Sequence, residues 1–244
     1  MTSHSPDLNV ARRAAELRRT GDETVDVLVI GGGITGVGVA LDAAARGLSV
    51  TLLEAEDLAF GTSRFSSKLV HGGLRYLATG DVATAKESAV ERHLLMTRIA
   101  PHLIRPLGQL LPFTTGVTAR QRAAGTVGMA MGDLLRIRAR TPSRFLPPPR
   151  LVSARTAQRL VPSLSRAGLR GGMLSYDGQL VDDARLVVTV ARTAASHGAR
   201  ILSRVRALEL RRDGAIAQDV LTDERLDIRA VSYTHLTLPT NREV

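Results

Sequence analysis

A glycine loop between an apolar run and an Ala-rich helical pattern constrains this chain most. Val25–Ile30 carries one polar residue among six, the composition of a strand buried on both faces of a parallel sheet. Gly31-Gly32-Gly33-Ile34-Thr35-Gly36 follows. Ile34–Arg46 then reads as a helix with Ala and Leu on its packing face, Gly47 ends it, and Ser49–Leu53 reads as a second strand. Strand, helix and strand at this spacing imply a right-handed parallel crossover. In such a G-x-G-x-x-G loop, Gly31 permits the tight turn, Gly33 lets a pyrophosphate approach the backbone, and Gly36 lets the helix pack on the strand. Phosphates then meet the helix N-terminus and its unpaired N–H groups. Glu54, at the end of the second strand, stands where a ribose hydroxyl would donate to it. A carboxylate there argues against a 2′-phosphate and so against NADP, but does not separate FAD from NAD. The competing reading is a glycine-rich turn in an unrelated α/β domain.

The 244 residues suffice for one large domain or two small ones. With 3% aromatics and no Trp, the core must be aliphatic. Cys is absent, which excludes disulfides, cysteine-based zinc sites and a thiol nucleophile. The net charge is +10, and every basic residue but Lys68 and Lys86 is arginine. The arginines are scattered, without aromatic interleaving or a nucleic-acid motif. They therefore point to a compositional preference for Arg, or to attraction to an anionic membrane surface or substrate, and not to nucleic acid. Arg, Asp or Pro interrupts the apolar windows before a transmembrane length is reached, and the first 20 residues lack a signal-peptide core. The expected location is cytoplasmic, with any membrane contact peripheral.

Further along, Asn9–Thr20 reads as an amphipathic helix and Asp81–Ala100 as a helix capped by Asp81. Pro106–Thr115 reads as strand and turn. Ala119–Arg140 is a helix, basic at both ends and apolar with Gly between, which suits packing or a membrane surface. Pro147–Pro149 is a rigid break and a plausible subdomain boundary. Ser153–Leu160 is helical, Gly168–Tyr176 a strand, Asp182–His197 a helix and Arg200–Leu210 a strand. Ala215–Leu221 and Arg225–Val231 form a hairpin-like pair. The Thr-rich end, Ser232–Val244, resembles a peptide that arises when assembled reads run into a sequencing adapter. It is expected to be non-native, and the chain a fragment.

A second segment separates the cofactors. Gly61-Thr62-Ser63-Arg64-Phe65-Ser66-Ser67-Lys68 leads into Leu69-Val70-His71-Gly72-Gly73-Leu74-Arg75-Tyr76-Leu77. Hydroxyls and small residues before Lys68 suit a backbone lying along phosphates or a flavin ring. The S-S-K-L-x-H-G-G-L-R-Y-L run closely resembles FAD-dependent (respiratory, quinone-linked) glycerol-3-phosphate dehydrogenases. Tyr176-Asp177-Gly178-Gln179-Leu180-Val181-Asp182-Asp183-Ala184-Arg185-Leu186 is similar to a further segment of that family.

The resemblance implies an α/β, amino-acid-oxidase-like architecture in which a Rossmann-like FAD-binding βαβ domain is interleaved with a partial α+β substrate or cap domain. The expected division is a polar segment and short helix over 1–24, FAD-binding parts over 25–104 and 181–231, the cap over 105–180, and the tail over 232–244. The resemblance implies oxidation of sn-glycerol 3-phosphate to dihydroxyacetone phosphate, with electrons passing through FAD to quinone, an activity the isolated fragment is not expected to show. It leaves open a homodimer of the intact parent. A related flavin oxidase of an amine or hydroxy compound, and a non-catalytic dinucleotide-binding fragment, are the alternatives.

Thr62, Ser63, Ser66, Ser67, Lys68 and Leu69 match the family's FAD-contacting segment. Arg75 matches its substrate-site arginine, and a guanidinium suits a dianionic phosphate; a structural ion pair is the plainer role. Tyr76 is a candidate hydrogen-bonding group for substrate, or a packing residue. His71 is a candidate base for the C2 hydroxyl proton, or a structural histidine. Asp182 and Asp183 fall at a helix start, so capping suits at least one of them. Val205 lies on the strand that meets the adenine in this kind of fold. The family's later A-T-G and G-G-K-L-T-T-Y-R motifs are absent from this sequence, so part of the flavin pocket and most of the cap are expected to be missing.

Overall fold

The computed structural model describes residues 4–235. Chain order is α1 (Val10–Asp22), β1 (Val25–Ile30), α2 (Ile34–Ala45), β2 (Val50–Glu54), β3 (Leu69–Val70), α3 (Leu74–Ala78), α4 (Val82–Leu94), β4 (Ile104–Phe113), α5 (Ala119–Arg138), β5 (Arg150–Val152), α6 (Ala154–Leu160), β6 (Gly171–Leu180), α7 (Asp183–Ser196), β7 (Arg200–Ser203), β8 (Val205–Arg211), β9 (Gly214–Asp219) and β10 (Arg225–His235). Ser67–Val181 forms one compact unit, and the segments on either side of it form another.

The unit built from the flanking segments holds a six-stranded sheet in the order β7-β2-β1-β10-β9-β8. The β7, β2, β1 and β10 strands run parallel, and β8, β9 and β10 continue antiparallel. Successive residues of β1 and β2 face opposite sides, as strand geometry requires. Val29 and Leu52 pack with Val37 and Ala40 of α2 and Ala191 and Ala195 of α7. Leu28 and Leu53 pack on the other face with Leu202, Ile228 and Leu17 of α1. The two-sided burial explains why Val25–Ile30 reads as a nearly continuous apolar run. The strand read over Arg200–Leu210 divides into β7 and β8 because Arg204 takes φ 59°.

The start of the expected tail lies in β10. Ser232 to His235 continue β10 alongside β1 in parallel register, Ser232 opposite Val27 and His235 opposite Ile30. A ladder is made of backbone groups, so this Ser/Tyr/Thr/His stretch extends it. The rest of the tail lies outside the described residues.

The other unit is an antiparallel sheet. β6 pairs along its length with β4, and with β3 and β5 on its other side. Ala85, Ala89, Leu135 and Ala139 pack α4 against α5, with Tyr76 and Leu77 of α3 beside them. After Leu94 the helix widens into a π-helical turn over Leu95–Ile99. Two expectations change here. The units divide between Ser66 and Ser67 instead of near residue 104, because Leu69 and Val70 pair with Gln179 and Gly178. Pro147–Pro149 is not a boundary: Pro147 and Pro149 line a small cavity inside this unit, and β5 follows at once.

Candidate functional site

Gly31 and Gly36 of the loop stand where only glycine fits, while a Cβ on Gly33 would lie 3.1 Å from Ser63 Oγ. Gly31 takes φ 107°, a region open to Gly at little cost. A Cβ on Gly36 would lie 1.9 Å from the Gly31 carbonyl oxygen, so α2 approaches β1 only with Gly there. Gly32, a free position in the G-x-G-x-x-G pattern, is confined too. A Cβ there would lie 2.9 Å from Leu58 Cδ2 and 3.0 Å from Glu54 Cβ.

Glu54 is tied to this loop. Its Oε2 accepts from the Gly32 N–H at 2.6 Å and its Oε1 from the Glu56 N–H at 2.8 Å. Each carboxylate oxygen retains acceptor capacity, so a ribose hydroxyl remains compatible with this arrangement. An open cleft of about 280 Å³ is lined by Gly31, Glu54, Ala55 and the β8 run Val205–Leu210. Val205, fully buried, forms part of its wall.

Thr62 and Ser63 lie in a 3₁₀ turn spanning Thr62–Arg64. Ser63 Oγ accepts from Ile34 N at 2.9 Å, which brings this turn onto the first residue of α2. Thr35 is exposed in the same helical turn. Ser66 Oγ donates to Asp183 Oδ2 at 2.9 Å, and Asp182 caps α7 by accepting from Arg185 N. Glycine loop, Glu54, Thr62, Ser63, Ser66 and Val205 thus belong to one unit. Ser67, Lys68, Leu69, His71, Arg75 and Tyr76 belong to the other.

In that second unit a tight loop presents the latter residues. Lys68 takes φ 57°, and its carbonyl accepts from Leu180 N at 2.7 Å. Gly73 takes φ 84° just before α3, and a Cβ on it would lie 2.4 Å from the Ala85 carbonyl oxygen. A Cβ on Gly72 would lie 2.0 Å from the Arg92 guanidinium. The Gly72 N–H donates to Asp177 Oδ1 at 3.1 Å, and Arg92 Nη1 donates to the same oxygen at 2.6 Å. The Arg92 and Asp177 side chains are 5% and 13% exposed. This buried pair fixes the loop from below and was not foreseen. The available signal was an arginine at 92 on the line of Ala85 and Ala89, the packing face of α4.

Arg75 is exposed on α3, with no ion-pair partner among the described residues. The His71 and Tyr76 rings lie 5.6 Å apart, tilted by 54°. His71 is exposed and Tyr76 half-buried. No carboxylate is seen orienting His71 among the described residues.

A profile of FAD dependent oxidoreductases matches residues 26–233. The chain belongs to that family. Among FAD dependent oxidoreductases it is similar to glycerol-3-phosphate dehydrogenase 1 of Mycobacterium tuberculosis, at 58% identity over 205 residues. That match takes in 84% of this chain and 40% of the relative. An alpha-glycerophosphate oxidase of Streptococcus pyogenes is 37% identical over 239 residues, covering 95% of this chain and 38% of the relative. A solved glycerol-3-phosphate dehydrogenase from Bacillus halodurans complexed with FAD superposes with a TM-score of 0.64 at 27% identity, covering 94% of this chain and 36% of that one. The chain spans about two fifths of the length of these relatives. The fold is that of the family: mixed α/β, with a Rossmann-like parallel sheet and a second, antiparallel sheet.

The residues present suit the family's cofactor. The open cleft beside Glu54 leaves space for part of a dinucleotide, and the glycine loop leads into the N-terminus of α2. Among the described residues no helix is long and apolar enough to cross a membrane.

Proposed function

We propose that this chain carries flavin-holding and substrate-holding residues of an FAD-dependent dehydrogenase that oxidises sn-glycerol 3-phosphate to dihydroxyacetone phosphate and passes the electrons to quinone. The observation that carries the reading is the Ser66–Tyr76 run, in which buried anchors support a loop and the start of α3, where Arg75 is exposed. The 58% identity to a glycerol-3-phosphate dehydrogenase supports it.

Bound FAD supplies the two-electron acceptor for the hydrogen on substrate C2. Gly31–Gly36 holds the pyrophosphate against the N-terminal dipole of α2. Glu54 accepts from the adenosine ribose, and its charge disfavours a 2′-phosphate. By the family resemblance, Thr62, Ser63, Ser66, Ser67, Lys68 and Leu69 would contact the dinucleotide. Arg75 grips the substrate phosphate through paired N–H donors. His71 takes the proton of the C2 hydroxyl, and Tyr76 sets the ring of His71 and donates to substrate.

The test is anaerobic mixing of sn-glycerol 3-phosphate with the FAD-loaded protein extended to the full length of its relatives. Loss of the oxidised flavin band with this compound, and not with glycerol or amino acids, is expected. Bleaching by an amine or by another hydroxy compound in its place would favour a related oxidase and sink this substrate assignment.

A further inference from the structure

His71 and Arg75 are exposed, yet Gly72 and Gly73, which follow His71, are buried. The α3 helix that carries Arg75 has five residues and opens at Gly73 without a side-chain cap. A helix this short has almost no stability of its own, so its direction is set by what it is tied to. Its far end is tied by packing: Tyr76 and Leu77 lie against Ala85, Ala89, Leu135 and Ala139. Its near end has a polar tie, the Gly72 N–H on Asp177.

Three donors converge on Asp177 Oδ1: Gly72 N at 3.1 Å, Gly178 N at 2.9 Å and Arg92 Nη1 at 2.6 Å. The first belongs to the loop, the second to β6 itself and the third to α4. The loop rests directly on this junction. A Cβ on Gly72 would run into the Arg92 guanidinium, and one on Gly73 into the Ala85 carbonyl. The small cavity lined by Pro147 and Pro149 also touches Gly72, Leu74, Arg92 and Asp177. Space on that side gives the loop room to shift once the junction is lost.

We propose that Asp177 is a positioning residue for the reaction: by holding the Gly72 N–H, its carboxylate fixes where the chain presents His71 on one side and Arg75 on the other. The side chain has two separable duties. Its charge serves Arg92, and its acceptor oxygen serves Gly72. The first is a matter of stability, because an unmatched buried charge is costly. The second is a matter of geometry, because groups that act on a substrate lose rate steeply when misplaced. The effect on turnover rests on the substrate reading given above; the effect on the loop rests on the hydrogen bond alone.

The test separates oxygen from charge in the FAD-loaded protein extended to the full length of its relatives. Arg92→Met combined with Asp177→Asn keeps an acceptor for Gly72, whereas Arg92→Met combined with Asp177→Leu does not. Neither double variant leaves a buried charge unmatched. The Asn pair should keep the parent's hydrogen exchange over His71–Tyr76 and its kcat/KM for sn-glycerol 3-phosphate. The Leu pair should exchange faster there and lose roughly tenfold or more in kcat/KM, with flavin content unchanged. Leu174→Ala, at a buried position on the same strand, should lower thermal melting and leave kcat/KM alone, which separates lost stability from lost positioning. The proposal is overturned if the two double variants exchange alike or turn over alike. A parent that sn-glycerol 3-phosphate does not bleach would sink the substrate reading instead. The exchange comparison would then still decide whether Asp177 holds the loop, and equal exchange in the two pairs would show that it does not.

Discussion

Arg92 Nη1 meets Asp177 Oδ1 at 2.6 Å, and that oxygen also accepts the Gly72 N–H at 3.1 Å. One carboxylate on β6 thereby joins α4 to the loop that bears His71 and leads into α3, which bears Arg75 and Tyr76. Both partners are largely withdrawn from solvent, so each needs the other. Removing one leaves a buried charge, whereas removing both leaves a hole that apolar atoms can fill.

Asp177→Ala should therefore lower the stability of this unit by about 3–5 kcal/mol. Arg92→Met combined with Asp177→Leu should recover most of that loss. Urea unfolding of the two single variants and the double variant gives the coupling directly. Equal losses that simply add would show that the pair does not act as a unit.

Gly36→Ala should destabilise the parallel-sheet unit by about 1–3 kcal/mol, because the new methyl overlaps the Gly31 carbonyl and α2 must move off β1. FAD affinity should fall with it. Gly38, with nothing within 4 Å of its would-be Cβ, is the control. Thermal melting and flavin retention of the two Ala variants should differ clearly.

Arg13 clamps Asp219 through two hydrogen bonds, from Nη2 at 2.7 Å and Nη1 at 3.1 Å. The guanidinium holds the Asp219 carboxyl below its ordinary value of 3.8. A carboxyl depressed on folding adds stability that is complete above the unfolded value and is lost as the pH falls through the folded one. Asp219→Asn should thus be less stable than the parent at neutral pH. The gap should close as the pH drops below 3.8, and unfolding curves taken across that range will show it.

Arg75→Met should leave stability within about 0.5 kcal/mol of the parent, as the side chain is exposed and outside the core. The loss should appear in substrate binding. A charge-assisted contact of about 1.5–3 kcal/mol corresponds to a rise in half-saturating glycerol 3-phosphate of roughly ten- to a hundredfold. Flavin reduction at increasing substrate concentration measures it.

The parts of this molecule that sequence exposes are those with a local cause. The β1–α2–β2 crossover announces itself through its apolar run and glycines, and the caps at Asn9, Asp81, Ser153 and Asp182 mark helix starts to within a residue. Elements fixed by distant partners are harder to see. β3 has only two residues and exists because β6 offers it a ladder edge. Arg204 breaks a strand without Gly or Pro to signal it. The prolines at 147–149 read as a divider but pack inside a unit. The site divides the same way. Gly31–Gly36, Glu54 and the H-G-G-L-R-Y run stand out in the chain. Arg92 looks like any surface arginine until the helix periodicity sets it beside Ala85 and Ala89.

The most direct test of the central claim is equilibrium titration of the chain with FAD, followed by quenching of flavin fluorescence. The account predicts saturable binding to one site per chain, displaced by ADP but not by NADP, and weakened by Gly36→Ala. Absence of saturable quenching, or displacement by NADP as readily as by ADP, would contradict it.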